Sequence, residues 1–174
     1  MPQSQTASLP IAYLFIRIVI VINWIIGAGI LGLLIATIVA EQWTFRALGI
    51  TGSTGVPQAI AGLRWIAVLG LVSTPLNFMI LKRLLAIVVT VRRGDPFVAE
   101  NAYRLNSIAW VLLALQLISL VIGAIGKSLS TPEHPLHLDA GFSTSGWLAV
   151  ILTFVLARVF AEGTLMREDL DGTV

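Results

Sequence analysis

Residues 18 to 40 read IVIVINWIIGAGILGLLIATIVA, a run from Ile18 to Ala40 without one charged side chain. At ~1.5 Å per residue, a helix of that length crosses a bilayer core of ~30 Å. Three further apolar blocks follow, Ile60 to Leu81, Ile108 to Ile125 and Trp147 to Ala161. The expected fold class is all-α: an integral membrane four-helix bundle, a single four-span domain over residues 1–174, with a helical corner between spans 2 and 3.

Composition agrees. The chain is 57% hydrophobic and 11% charged, where a soluble domain carries roughly 25% charged residues. A formal net charge of +2 is too small to imply nucleic acid as a direct partner. The absence of cysteine excludes disulfides, thiol catalysis and thiolate metal sites. A cleaved signal peptide is the bland reading of the first block. No Lys or Arg precedes Pro10, the apolar run is long, and Ile38 to Ala40 makes a poor cleavage site, so a permanent span is expected.

The basic residues set an orientation. Arg17, Lys82, Arg83, Arg92, Arg93, Arg104, Arg158 and Arg167 fall on one side of the four spans, and Arg46, Arg64 and Lys127 on the other. Cytoplasmic loops carry the excess of Lys and Arg. Both termini and the central corner are therefore expected in the cytoplasm. Trp43, Trp65 and Trp147 then fall near the outer interface and Trp110 near the inner one, depths that suit an amphipathic indole.

Within span 1, Ala28, Gly32 and Ala36 recur every fourth residue and share a helix face. Packing inside the bundle is the expected use of that stripe, and a homo-oligomer contact the alternative. Span 2 carries Ser73, Thr74, Pro75 and Asn77; Pro75 removes a backbone donor, and a neighbouring hydroxyl can serve freed carbonyls. Asn77 and Gln116 are apolar-block residues able to hydrogen-bond another helix. The loop from Glu41 to Gln58 ends in Gly52 to Pro57, turn chemistry without a site.

Beyond Leu81 the pattern changes. Lys82 and Arg83 open a stretch that closes on Arg92 and Arg93. Helical spacing puts Arg83, Thr90 and Arg93 on one side and Leu81, Leu84, Leu85 and Val88 opposite, an amphipathic extension along the interface. Gly94 suits the left-handed residue that ends a helix, Asp95 an N-cap, and Pro96 the first helical position. A new helix is expected from Pro96, with Glu100 and Arg104 paired on its surface.

The second outer loop, Pro132 to Asp139, contains Glu133, His134, His137 and Asp139. Pro135 between the histidines argues against a regular helix face, so a solvated loop is expected rather than a metal site. In span 4, Arg158 reaches the inner interface and pairs with Glu162 one turn on. The acidic tail, with Glu168, Asp169 and Asp171, is expected to face the basic corner by charge.

Two segments carry a family resemblance. One runs Arg92-Arg93-Gly94-Asp95-Pro96-Phe97-Val98-Ala99-Glu100-Asn101-Ala102-Tyr103-Arg104-Leu105. The other runs from Phe154 through Arg158, Phe160 and Gly163 to Met166-Arg167-Glu168-Asp169-Leu170 and Gly172-Thr173-Val174. Together they resemble the bacterial four-span membrane family catalogued as domain of unknown function 2975. Gly94, Pro96, Phe97, Asn101, Arg104 and Leu105 match that family's Gly-x-Pro-Phe corner, whereas Arg158 stands where members often carry an acidic or polar residue. The resemblance places the chain in the inner membrane of a bacterial cell, but carries over no catalytic residues and no cofactor. It implies a neighbouring helix-turn-helix transcription regulator as partner.

The functional expectation is a membrane-embedded regulatory or interaction protein, not an enzyme. Its candidate cytoplasmic surface comprises Arg92, Arg93, Gly94, Asp95, Pro96, Phe97, Asn101, Arg104, Arg158 and Glu162. The alternative is a small oligomeric transporter or channel subunit, motivated by Pro75, Asn77, Gln116 and Thr153. Transport proteins usually place ionisable groups near the midplane, and the blocks offer none there. No nucleophile–base set, phosphate loop or carboxylate pair supports an enzyme.

Overall fold

The computed structural model describes residues 5–40, 56–130 and 140–171. Four helices occupy them: α1, Gln5–Val39; α2, Val56–Arg92; α3, Ala99–Leu129; and α4, Thr144–Asp171. All four are long and apolar enough to cross a membrane, and no strand occurs among the described residues. The chain is an all-α, four-helix, multi-pass membrane protein. Trp43, Arg46 and the loop holding His134 and His137 lie outside the described residues.

The helices overrun the apolar blocks. α2, with 37 residues, is about 55 Å long, well beyond a ~30 Å hydrocarbon core. Lys82, Arg83 and Arg92 therefore lie inside one continuous helix, and the stretch after Leu81 is its extension, as expected. α2 also continues through Pro75. One turn before the missing donor, Ser73 Oγ donates to the Leu69 carbonyl at 2.9 Å and Thr74 Oγ1 to that of Gly70 at 3.2 Å.

The chain divides into two compact units. The first comprises Met1–Ile22, Leu76–Ala114 and Thr144–Val174, the second Asn23–Pro75 and Leu115–Ser143. In the second, α1 packs through Asn23, Gly27, Ile30 and Thr37. Asn23 Nδ2 donates to the Thr74 carbonyl at 3.1 Å, and a Cβ on Gly27 would stand 2.6 Å from Thr74 Cγ2. Arg64 of α2 donates to the Thr37 carbonyl in the last turn of α1, where helix carbonyls lack intrahelical donors and carry partial negative charge. The segment after residue 139 lies across α3: Ser119 Oγ accepts the Gly141 N–H at 3.2 Å, and Gly123 leaves no room for a Cβ beneath Gly141.

The small-residue stripe expected to pack is therefore not the packed face. Ala28 and Gly32 are exposed, and no neighbouring atom comes within 4 Å of a Cβ built on Gly32. α1 is apolar all round, so hydropathy does not mark which face meets protein. The large exposed side chains Phe15, Trp24, Ile25, Ile26, Ile35 and Ile38 suit lipid, a solvent as apolar as they are.

The first unit centres on Ile87, Leu105, Ile108 and Ala157, with Ile80, Val91, Leu112 and Phe160 packed around them. α2 faces this core with Ile80, Ile87 and Val91, not with the Leu81, Leu84, Leu85 and Val88 face that charge spacing indicated; Leu84 is exposed. Trp110 of α3 meets Phe154 of α4 edge-on, ring centroids 5.4 Å apart.

Candidate functional site

The candidate surface is built on the turn from α2 to α3, all within the first unit. Gly94 has φ +84°, the left-handed geometry that costs a residue with a Cβ about 1–2 kcal/mol. Its N–H reaches the Val91 carbonyl at 3.0 Å, and the Asp95 N–H reaches the Thr90 carbonyl at 3.2 Å. Those two bonds form a Schellman stop, closing α2 and occupying carbonyls that would otherwise be orphaned.

α3 does not begin at Pro96. It begins at Ala99, and residues 95–98 form a non-helical connection. Three contacts explain the delay. Asp95 is not an N-cap, because its carboxylate pairs with Arg167 of α4. Phe97 turns to α4 and lies on Phe160 with ring centroids 5.2 Å apart; Gly163 makes room, since a Cβ there would sit 2.9 Å from Phe97 Cδ1. The Pro96 carbonyl accepts from Asn101 Nδ2 at 2.9 Å.

Asn101 is the hub. It is fully buried, and its Nδ2 also donates to Thr90 Oγ1 at 2.7 Å while its Oδ1 accepts from Arg104 at 2.7 Å. Thr90 Oγ1 in turn donates to the Ile87 carbonyl. Both ends of a buried amide are thus satisfied, as burial of such a group requires. Arg104 serves this network; no ion pair joins it to Glu100 among the described residues. Thr90, expected on the outer side with Arg83 and Arg93, points inward instead.

Arg92 and Arg93 remain exposed beside this fixed turn. The Arg92 guanidinium stands 5.7 Å from the ring centre of Tyr13 on α1, with Arg17 4.9 Å from the same ring. Cation–π contact at exposed sites is worth about 0.5–1 kcal/mol.

Of the ten residues singled out, eight form one construction, the consecutive stretch from Arg92 to Phe97 together with Asn101 and Arg104. Arg158 and Glu162 pair with each other as expected. At 100° per residue, however, they project opposite to Ala157, Phe160, Thr164 and Arg167, the side of α4 that meets the corner. The residue of this end of α4 that reaches the corner is a base, Arg167, which pairs with Asp95; the side chains of Glu168 and Asp171 lie outside the described residues. Among the described residues, no three His, Cys, Asp or Glu side chains gather as metal ligands.

Thr90, Tyr13, Phe160, Gly163 and Arg167 complete the site and were not among the ten residues singled out. Phe160, Gly163 and Arg167 stand in the second family-like segment, whereas nothing local tied Tyr13 to the corner.

No curated protein and no solved structure matches the chain. One family does, described as "Protein of unknown function (DUF2975)", over residues 48–174. The matched stretch contains α2, the corner, α3 and α4, well over half of the sequence. On that match the chain belongs to the DUF2975 family.

Proposed function

We propose that this protein is a membrane-embedded interaction protein whose corner, from Arg92 to Arg104, docks a soluble regulator at the cytoplasmic face of a bacterial inner membrane. One observation carries the reading: the corner is over-determined in structure, yet it holds out two exposed bases, Arg92 and Arg93, that make no ion pair among the described residues. A glycine stop, a buried asparagine hub and a phenylalanine anchor fix the turn that presents them. Preorganised side chains lose less entropy on binding.

The distribution of bases supports a cytoplasmic corner. Arg64, one of three bases counted against that orientation, is committed to capping α1. The partner surface that fits is acidic, and the proposed class is a helix-turn-helix transcription regulator held at the membrane. The test is a crosslinked pull-down from native membranes with wild type and R92Q/R93Q. Recovery of a DNA-binding regulator with wild type and its loss with the double variant is the expected result. Equal recovery from both would overturn the docking role of the two arginines, and no soluble partner from either would favour a transport role for an oligomer.

A further inference from the structure

A pocket of about 480 Å³ opens between α2 and α3 in the first unit, on the flank of the corner. That volume falls within the ~300–1,000 Å³ typical of small-molecule sites. Lys82 and Arg83 of α2 and Arg104 of α3 line it, opposed by one acid, Glu100. Met79 and Ala86 supply apolar wall from α2, and Tyr103 an amphipathic ring from α3.

We infer that this pocket is a binding site for an anionic phospholipid. Three features select that ligand. The bases outnumber the acid three to one, and two are guanidinium groups, which match phosphate oxygens with paired N–H donors. Arg104 is held from behind by Asn101 Oδ1 at 2.7 Å, so one fork is oriented before the ligand arrives. The third feature is depth. The apolar block of α2 ends at Leu81, immediately before Lys82, which puts the bases at headgroup level. Met79 lies one turn into the apolar run on the same stripe of the helix. A lipid phosphate among the bases would therefore lay its acyl chain along Met79, and exposed Tyr103 is the residue type found at that level. A free phosphate would use the bases and leave the apolar wall uncovered.

The pocket shares Arg104 with the proposed docking corner, but Lys82 and Arg83 lie before that corner, so their substitution tests the lipid site apart from the protein partner. It also has a structural consequence. Arg104 belongs both to the pocket and to the Asn101 hub, so a bound anionic lipid stabilises the corner, raising the melting temperature as any ligand specific to the folded state does.

The experiment uses the full chain in neutral detergent. Bound lipid is counted by native mass spectrometry and thermal melting is followed in parallel. The probes are dioleoyl-phosphatidylglycerol, dioleoyl-phosphatidylcholine and inorganic phosphate. Wild type is expected to retain one phosphatidylglycerol and melt higher with it, with phosphatidylcholine and phosphate giving neither effect. A surface base near anionic lipid is worth about fivefold in affinity, so K82Q/R83Q should weaken binding about 25-fold. R92Q/R93Q should stay within about twofold of wild type, and K82R/R83K should bind as wild type does. Equal retention of phosphatidylcholine, or undiminished binding by K82Q/R83Q, would overturn the site. A melting shift with phosphate as large as with phosphatidylglycerol would make it a free-anion site and overturn the lipid. Wild-type retention must also fall as salt rises; retention indifferent to salt overturns the proposal whatever the variants do.

Discussion

Asn101 Nδ2 donates to Thr90 Oγ1 at 2.7 Å, tying the last turn of α2 to the first turn of α3. Because Asn101 also binds the Pro96 carbonyl and Arg104, its loss strands several partners at once. N101A should cost about 2 kcal/mol or more, and T90A about 1 kcal/mol, since Asn101 keeps its remaining bonds. In the double variant the two costs should fall short of additivity. Thermal unfolding in detergent measures all three.

The glycines rank by what surrounds them. A Cβ on Gly123 would meet backbone, Gly141 Cα at 2.5 Å and Ala140 O at 2.8 Å, whereas on Gly62 it meets the movable end of the Leu129 side chain. G123A should therefore be the most destabilising, at about 2 kcal/mol, with G62A milder. G32A, with nothing within 4 Å, should be neutral or stabilising by up to about 1 kcal/mol through helix propensity. A melting series in the reverse order would mean that α1 uses its exposed small-residue face after all.

The Asp95–Arg167 pair is roughly half exposed on both sides, 45% and 49% of each side chain. Exposed ion pairs contribute about 0–1 kcal/mol, so D95N or R167Q alone should lower stability by less than 1 kcal/mol, and less still in high salt. The pair's role is directional: it holds the last turns of α4 against the corner. Charge exchange in D95R/R167D should restore protease resistance of the residues after Gly163 that R167D alone loses.

The existence of four helices was legible in the sequence, because a bilayer demands long apolar runs and each run announces itself. The stop at Gly94 was legible too, since a left-handed turn selects glycine by itself. The next step was not. Asp95 and Pro96 have good local chemistry for a helix start, yet the pairing of Asp95 with Arg167 and the seating of Phe97 over Gly163 delay the helix to Ala99. Those contacts join residues about 70 positions apart, and local propensity holds no information about them. Packing faces were illegible for a different reason. In α1 both lipid and protein accept Ile and Leu, so the amphipathic signal that marks a buried face in water is missing, and Gly27 rather than Gly32 proved to be the close contact. Asn101 stood out as a motif residue, but its burial depended on Thr90 and Arg104 converging on it in space.

The cytoplasmic placement of the corner is the claim on which the docking proposal stands. The chain has no cysteine, so R93C introduces a single thiol at the exposed end of α2. Labelling with a membrane-impermeant maleimide, in right-side-out and inverted membrane vesicles, measures its sidedness directly. A cytoplasmic corner requires rapid labelling in inverted vesicles and protection in right-side-out ones until they are permeabilised. Labelling from the outside of intact right-side-out vesicles would place the corner beyond the reach of any soluble cytoplasmic regulator and contradict the proposal.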